Sequence, residues 1–360
     1  MYTTHFNPDF FLGKAFRVLL LICLFFILGE SAFRVRAQYR FGQTRGTMII
    51  DDPVEGRSLR PNAVSEGAVR TVRINEHGTR GKSFSFDRPD ELVRIACLGS
   101  SSVFGGITNS DDETFPAYLE KILNQRIGEL GAVEVLNAGI AGMSTSSVQQ
   151  HIERRISKFH PQIAVFYVVP NDVGVLRQGS PETNVRSLHF LSRWRRENSV
   201  MYDTLRNRFS RYSPGTAANQ FIRFPADGEE KLEKMYENLF QSCRQLQIVP
   251  VAVSHSVPFR RDQSAKQQHQ MLFGDFFGFG LAGAFEAVET MNQTWRRVAE
   301  QNGVLFIDGE NSMPGTAEYF ADAVHHQPSG NKKLAEEIAK KLLEHDVLTP
   351  FLQNNEQKTE

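Results

Sequence analysis

Apolar positions along this chain form two patterns that predict different structures. One is a run at residues 18–28 that no charged side chain interrupts. The other is a series of short runs, rich in Val, Ile and Leu, that predict buried strands at residues 92–98, 133–136, 162–169, 248–253 and 304–307. Amphipathic stretches between them predict helices at residues 113–123, 146–159, 228–246 and 288–301. Strands that alternate with helices predict the α/β class and a doubly wound parallel sheet.

The N-terminal run is long enough to cross a lipid bilayer. Extended to residues 15–33, with Arg17 and Glu30 near its ends, it has the length that a membrane-spanning helix needs. Lys14 and Arg17 give it the basic start of an export signal. Because the arginines that follow make a poor cleavage site, we predict a short tail at 1–14 and then an uncleaved signal anchor at 15–33.

Composition narrows the function classes further. The 360 residues include 41 Lys plus Arg and 41 Asp plus Glu, so no overall positive charge favours binding to nucleic acid. The three cysteines are scattered, which predicts neither a disulfide framework nor a zinc site. The histidines and carboxylates show no spacing typical of metal ligands, so we expect no metal and no cofactor.

Candidate catalytic chemistry lies at the end of the first predicted strand and near the C-terminus. The strand at 92–98 is followed by Gly99 and three serines, at an edge where α/β sheets bind ligands. A serine needs a base and an orienting group to become a nucleophile. Asp322 and His325 stand three residues apart, so the carboxylate can orient the imidazole. These residues supply the three side chains that a Ser-His-Asp triad needs.

Two more strand ends complete a four-block pattern. A Gly-x-Ser block at 99–101 is followed by Asn-x-Gly-x-x-Gly at 137–142, then by Asn-Asp at 171–172 and Asp-x-x-His at 322–325. In this order the blocks resemble those of the SGNH (GDSL-type) hydrolases. The resemblance covers roughly residues 91–345 and implies an ester hydrolase on a flavodoxin-like sheet.

The resemblance also implies a role for each matching residue. Ser101 resembles the nucleophile, and Asp322 and His325 resemble the rest of the triad. The backbone N–H groups of Ser101 and Gly142 and the side chain of Asn171 resemble the donors of an oxyanion hole. Spacing of the glycines favours Ser101 over the serines beside it.

The sequence departs from the family pattern at two positions, and it offers one rival base. Ser100 stands where the family has Asp, and Pro170 stands where it has Gly. Neither change removes a triad atom. His326 would replace His325 only if the register of the last block moved by one residue. His255, which follows the strand at 248–253, is a possible substrate contact or a structural histidine.

The expected domain organisation follows from these motifs. After the anchor, residues 34–90 form a juxtamembrane segment and a small leading subdomain. The catalytic domain covers 91–345, and a C-terminal tail covers 346–360. Two insertions interrupt the catalytic domain. An arginine-rich stretch at 174–227 is either a lid for anionic groups or a solvated helical flap. A Phe- and Gly-rich stretch at 271–285 is either an apolar wall for an acyl chain or a buried connection.

The predicted function is a serine esterase or acylhydrolase that cleaves a small-molecule, lipid or glycan acyl ester. One alternative is an acyltransferase that moves the acyl group to a cell-surface glycan, and another is a non-catalytic, membrane-tethered binding module. Arginines after the anchor favour a cytoplasmic domain by the positive-inside rule, but large domains can translocate despite such charges. By analogy with membrane-anchored bacterial members of the family, we predict a single-pass membrane protein with an extracytoplasmic catalytic domain.

Overall fold

The computed structural model describes residues 8–42, 48–52, 56–128, 132–173, 199–202, 204–205, 227–272, 276–277 and 279–356. The strands are β1 (Ile49–Asp52), β2 (Gly56–Leu59), β3 (Val64–Glu66), β4 (Thr71–Arg73), β5 (Val93–Gly99), β6 (Val133–Asn137), β7 (Ile163–Tyr167), β8 (Val249–Val253) and β9 (Leu305–Ile307). The α-helices are α1 (Pro8–Phe41), α2 (Ser101–Phe104), α3 (Phe115–Ile127), α4 (Thr145–Arg154), α5 (Gly228–Gln245), α6 (Ala265–Met271), α7 (Leu281–Gln301), α8 (Pro328–Glu344) and α9 (Thr349–Glu356).

Strands β5 to β9 form one parallel sheet in the order β6-β5-β7-β8-β9. With β5 counted as the first of the five, this is the 2-1-3-4-5 order of flavodoxin-like sheets. The predicted doubly wound α/β fold is therefore confirmed. Its strands read as continuous apolar runs because helices cover both faces of the sheet.

The two faces of the sheet contact different helices. Alternate side chains of β5 point in opposite directions, so Ile95 and Cys97 pack with helices α3 and α8, whereas Ala96 and Leu98 pack with α4, α5 and α7. Trp295 of α7 is fully buried, and its indole N–H donates to the carbonyl of Val253 at 3.2 Å. This packing fixes the carboxyl ends of β5, β7, β8 and β9 along one edge.

Local capping sets the helix boundaries near that edge. Thr114 caps α3 by accepting a hydrogen bond from the N–H of Ala117 at 3.4 Å, so the helix begins later than the predicted residue 113. Gly128 ends it in the left-handed conformation, with a φ of 82°. The helix predicted at 146–159 is two pieces, because α4 ends at Arg154 and a 3₁₀ turn covers Ile156–Phe159.

Two helices at the C-terminal end were not predicted from the sequence. Helix α8 begins directly after the Asp-x-x-His block and buries Leu334, Ile338 and Leu342 against the sheet. Helix α9 lies within the residues expected to form a tail, and the core next to it contains the buried side chain of Leu348.

The leading segment consists of two antiparallel hairpins, β1–β2 and β3–β4, followed by a turn at residues 75–81. Arg80 from this turn is buried. Its guanidinium donates to the carbonyl oxygens of Phe104 and Gly105, both at 2.7 Å, and to the Asp111 carboxylate at 2.8 Å. The segment is thereby bonded to the loop that follows α2.

Helix α1 extends beyond the globular part of the protein. Within it, Phe16–Arg40 is long and apolar enough to cross a membrane by length and composition alone, with a mean hydropathy of 2.2 over an 18-residue window. The C-terminal end of α1 contacts the β3–β4 turn, where the carbonyls of Tyr39 and Arg40 accept hydrogen bonds at 2.7 and 2.9 Å. Most of the 174–227 insertion, and part of the 271–285 insertion, lie outside the described residues.

Candidate active site

Ser101 lies at the carboxyl end of β5, where the strand turns into α2. Gly99 makes this turn possible, because a Cβ at that position would collide with the carbonyl oxygen of Tyr167 on the neighbouring strand. The short helix ends at Gly105, whose φ is 79°. The turn presents the Ser101 side chain at the sheet edge, where it is partly exposed.

The Ser101 hydroxyl faces His325, and His325 faces Asp322. The Ser101 Oγ lies 2.7 Å from Nε2 of His325. The other ring nitrogen, Nδ1, lies 2.8 and 2.9 Å from the two carboxylate oxygens of Asp322. The structure therefore brings the three residues that the sequence placed in a triad into one hydrogen-bonded line.

The Asp322 carboxylate is held by its own loop. It accepts hydrogen bonds from the backbone N–H groups of Val324 at 3.0 Å and His325 at 2.8 Å. Burial alone would raise the pKa of Asp322, but the hydrogen bond and charge of His325 and the two backbone N–H groups hold it below its ordinary value. The carboxyl group is thus kept ionised beside the imidazole.

A second cluster lies beside this line and centres on an oxygen atom. The backbone N–H of Gly142 donates to the Ser100 hydroxyl oxygen at 3.0 Å, and the side-chain amide of Asn171 donates to the same oxygen. Asn171 also donates to the carbonyl of Met143 at 3.1 Å. Gly142 and Asn171 therefore point two N–H groups at one position, next to the serine that faces His325.

Position 142 accommodates only glycine without strain. Its φ is 85°, and a Cβ there would lie 2.9 Å from a guanidinium nitrogen of Arg57. Arg57 belongs to β2, so the leading segment reaches this side of the candidate site. Sequence reasoning missed this arginine, since nothing in the local pattern of β2 indicates what it contacts.

Asp172, the residue after Asn171, holds this part of the chain against the start of α4. It is fully buried, and its carboxylate accepts hydrogen bonds from the backbone N–H of Thr145 at 2.8 Å and from the Thr145 hydroxyl at 2.7 Å. These bonds join the end of β7 to the start of α4. Burial raises the pKa of Asp172 to about 7, although the bonds from Thr145 act in the opposite direction.

His255 does not lie where a substrate could reach it. The residue is 1% exposed, and its ring lies 4.7 Å from that of Tyr167. Burial, and then the neighbouring charges of His326 and His325, lower its pKa well below the ordinary histidine value. The expectation of a substrate contact is corrected here, because the packing of the β8 end encloses this side chain completely.

His326 faces the protein interior rather than the serine. Its Nε2 lies 2.8 Å from the Ser256 hydroxyl and 3.4 Å from the Tyr167 hydroxyl. Burial, followed by the charge of His325, lowers the pKa of His326 to about 3. The geometry favours the register in which His325 is the base. Among the described residues, no group of three or more His, Cys, Asp or Glu side chains could hold a metal ion.

Comparisons with known proteins yield one sequence family and several similar structures. The sequence model of the GDSL-like lipase/acylhydrolase family matches residues 97–333. No curated protein matches the chain. Similar solved structures include an acetylxylan esterase from Geobacillus stearothermophilus, with 15% identity, a TM-score of 0.44, and coverage of 71% of this chain and 96% of that one. Another is a lipolytic protein of the G-D-S-L family from Desulfitobacterium hafniense, with 11% identity, a TM-score of 0.42, and coverage of 69% and 99%.

Proposed function

The chain belongs to the GDSL-like lipase/acylhydrolase family of ester-hydrolysing enzymes, and from that premise we propose that Ser101, His325 and Asp322 are its catalytic triad. The observation that carries the proposal is the 2.7 Å contact between the Ser101 Oγ and Nε2 of His325. The Asp322 carboxylate lies 2.8 Å from the other ring nitrogen, Nδ1, and as an acceptor it favours the tautomer that carries its proton on Nδ1. That tautomer leaves Nε2 free to accept a proton.

In the first half of the proposed reaction, Ser101 attacks the acyl carbon of the ester. His325 takes the hydroxyl proton at Nε2 while the new C–O bond forms. When the tetrahedral intermediate collapses, the bond to the leaving alcohol breaks and His325 returns the proton to the alcohol oxygen. Water then attacks the acyl-enzyme by the same route, and His325 hands the proton back to Ser101.

The negative charge of each tetrahedral intermediate is stabilised by fixed hydrogen-bond donors. We assign this role to the backbone N–H groups of Ser101 and Gly142 and to the side-chain amide of Asn171. The convergence of the Gly142 and Asn171 donors on one oxygen atom supports the assignment. Loss of one such donor lowers turnover by about 100-fold or more in other enzymes.

We also propose that α1 anchors the enzyme in a membrane with the catalytic domain outside the cytoplasm. The exposed apolar side chains of α1 and its attachment to the β3–β4 turn support a tether joined closely to the globular part. A reporter enzyme that is active only outside the cytoplasm should be active when it is fused after Glu360. Activity of a reporter that works only in the cytoplasm would contradict this orientation.

The triad is tested with a fluorophosphonate probe and a panel of esters. The probe should label the protein at Ser101, and Ser101→Ala should abolish both labelling and hydrolysis. Ser102→Ala is the matched control, since this neighbouring hydroxyl donates to the carbonyl of Val324 and does not face His325. Labelling that survives in Ser101→Ala would refute the assignment. Esters from acetyl to palmitoyl, with and without a glycan acceptor, would define the acyl chain and separate hydrolysis from transfer.

A further inference from the structure

The hydroxyl of Ser100 is bonded to the two groups assigned above as oxyanion donors. It accepts hydrogen bonds from the N–H of Gly142 at 3.0 Å and from the Asn171 amide. The residue is 4% exposed, so the hydroxyl lies inside the protein rather than at its surface. Two of the donors assigned to the oxyanion are therefore already satisfied in this structure.

A second observation shows that this orientation is not the usual one for such a serine. Ser100 is the N-cap residue of α2, and serine at an N-cap normally accepts a hydrogen bond from a backbone N–H of the first helical turn. Ser100 makes no such capping bond. Its hydroxyl is turned away from the helix and towards Gly142 and Asn171.

We propose that the Ser100 hydroxyl fills the oxyanion pocket of the resting enzyme and must rotate out when an ester binds. This inference rests on the proposed function, because it takes Gly142 and Asn171 to be the oxyanion donors. A carbonyl oxygen and the Ser100 Oγ cannot both accept from those two N–H groups. A change of one staggered χ1 rotamer removes the hydroxyl from the pocket. The N–H groups in the first turn of α2, which have no partner within the helix, then offer it a capping bond.

The proposal implies that the Ser100 hydroxyl stabilises the folded protein and slows its turnover. In the resting enzyme, the hydroxyl accepts a hydrogen bond from each of the two donors. During catalysis, it competes with the substrate for the same donors. Removal of the hydroxyl should therefore destabilise the folded protein and accelerate the reaction. A serine with a merely structural role would show only the first effect.

The test compares Ser100→Ala and Ser100→Gly with the parent enzyme. We expect kcat/KM for a short-chain ester, and the second-order rate of fluorophosphonate labelling, to rise roughly fivefold to tenfold, about the factor of one net hydrogen bond. The melting temperature should fall in both variants. Glycine is well tolerated at N-caps, so it provides a second variant if alanine at this position prevents folding.

Ser242→Ala is the matched control. Ser242 is also 4% exposed and its hydroxyl bonds to the Glu153 carboxylate on the outer helices, away from the sheet edge. Its loss should lower the melting temperature without raising kcat/KM. If the parent is active and folded Ser100 variants are no faster than the parent, the inference is wrong. If the parent neither hydrolyses esters nor reacts with the probe, the proposed function itself fails.

A structure of the phosphonylated enzyme gives an independent test. The phosphonyl oxygen should accept the hydrogen bonds from Gly142 and Asn171, and the Ser100 hydroxyl should have moved to another rotamer. A Ser100 Oγ that still accepts from the Gly142 N–H in that adduct would overturn the inference.

Discussion

Replacement of Asp322 by Asn should abolish most of the turnover while leaving the fold intact. The carboxylate accepts hydrogen bonds from the ring of His325 and from the backbone N–H groups of Val324 and His325. Both backbone groups donate to Oδ1, at 3.0 and 2.8 Å, and an asparagine can retain this oxygen in place. The amide nitrogen would then replace Oδ2, which lies 2.8 Å from Nδ1 of His325.

The size of the effect follows from that exchange of an acceptor for a donor. An amide N–H that faces Nδ1 at 2.8 Å opposes an Nδ1–H, so it favours the tautomer with the imidazole proton on Nε2, although Oδ1 remains 2.9 Å from Nδ1. Nε2 then points an N–H at Ser101 and cannot take the hydroxyl proton. The equivalent change in another Ser-His-Asp triad lowers kcat by about 10⁴. Because both backbone hydrogen bonds persist, we expect the free energy of unfolding to change by only about 1 kcal/mol.

The assay is kcat for a short-chain ester together with thermal unfolding of the same samples. His325→Ala should be comparably inactive, and the double variant should be hardly worse than the worse single one, because the residues act as a unit. Asp308→Asn is the matched control, since that carboxylate lies on the loop after β9 and accepts from Asn311 instead. A folded Asp322→Asn enzyme within tenfold of the parent would refute the proposed triad.

Three further perturbations test parts of the structure around the site. Burial raises the pKa of Asp172 from 3.8 to about 7, so its contribution to stability is complete below pH 4 and is lost as the pH rises through 7. This loss of stability amounts to about 1.4 kcal/mol per pKa unit. In denaturant titrations at several pH values, Asp172→Asn should make the decline in the free energy of unfolding less steep. Gly142→Ala should lower kcat/KM about tenfold or more by displacing an oxyanion donor, whereas Gly128→Ala, at a similar φ of 82° with open space around it, should lower only stability. Arg80→Met should reduce the free energy of unfolding by about 3 kcal/mol, because two backbone carbonyls and the partly buried Asp111 carboxylate lose the buried guanidinium that donates to them. A loss below about 1 kcal/mol would contradict the anchoring role described for this guanidinium.

The central sheet was predictable from the sequence because each strand is buried on both faces. A strand such as β7, in which all residues from Ile163 to Tyr167 are buried, must be apolar along its whole length and cannot be mistaken for a solvated segment. Helix α8 was missed for the opposite reason. Its apolar positions are interleaved with four lysines between Lys332 and Lys341, so no continuous apolar run marks it.

The candidate triad was also predictable, because its geometry is largely local. Asp322 and His325 are three residues apart, and the backbone of one turn suffices to bring the carboxylate to the ring. The burial of His255 could not be read from the sequence. It depends on how the end of β8 packs against Tyr167, and a histidine after a strand end is compatible with either a lining or a buried position.

The rotamer of Ser100, like the burial of His255, could not be predicted from the sequence. The sequence shows only that a serine stands where the resembling family has an aspartate, and a serine at a strand-to-helix turn has a capping role available to it. Its hydroxyl instead meets groups from two other chain segments, the turn after β6 and the end of β7. Only the tertiary structure brings those donors within reach.

The leading segment connects the candidate site to helix α1 by direct contacts. Arg80 bonds to the carbonyls that end α2, the helix that begins with Ser101. Its backbone N–H also donates to the carbonyl of Asn137 at 3.2 Å, at the start of the turn that carries Gly142. Through the β3–β4 turn, the same segment donates two backbone hydrogen bonds to carbonyls at the C-terminal end of α1. We infer that the sequence boundary at residue 91 separates two sequence patterns rather than two folding units, and that the segment holds both turns of the site at a fixed position relative to α1.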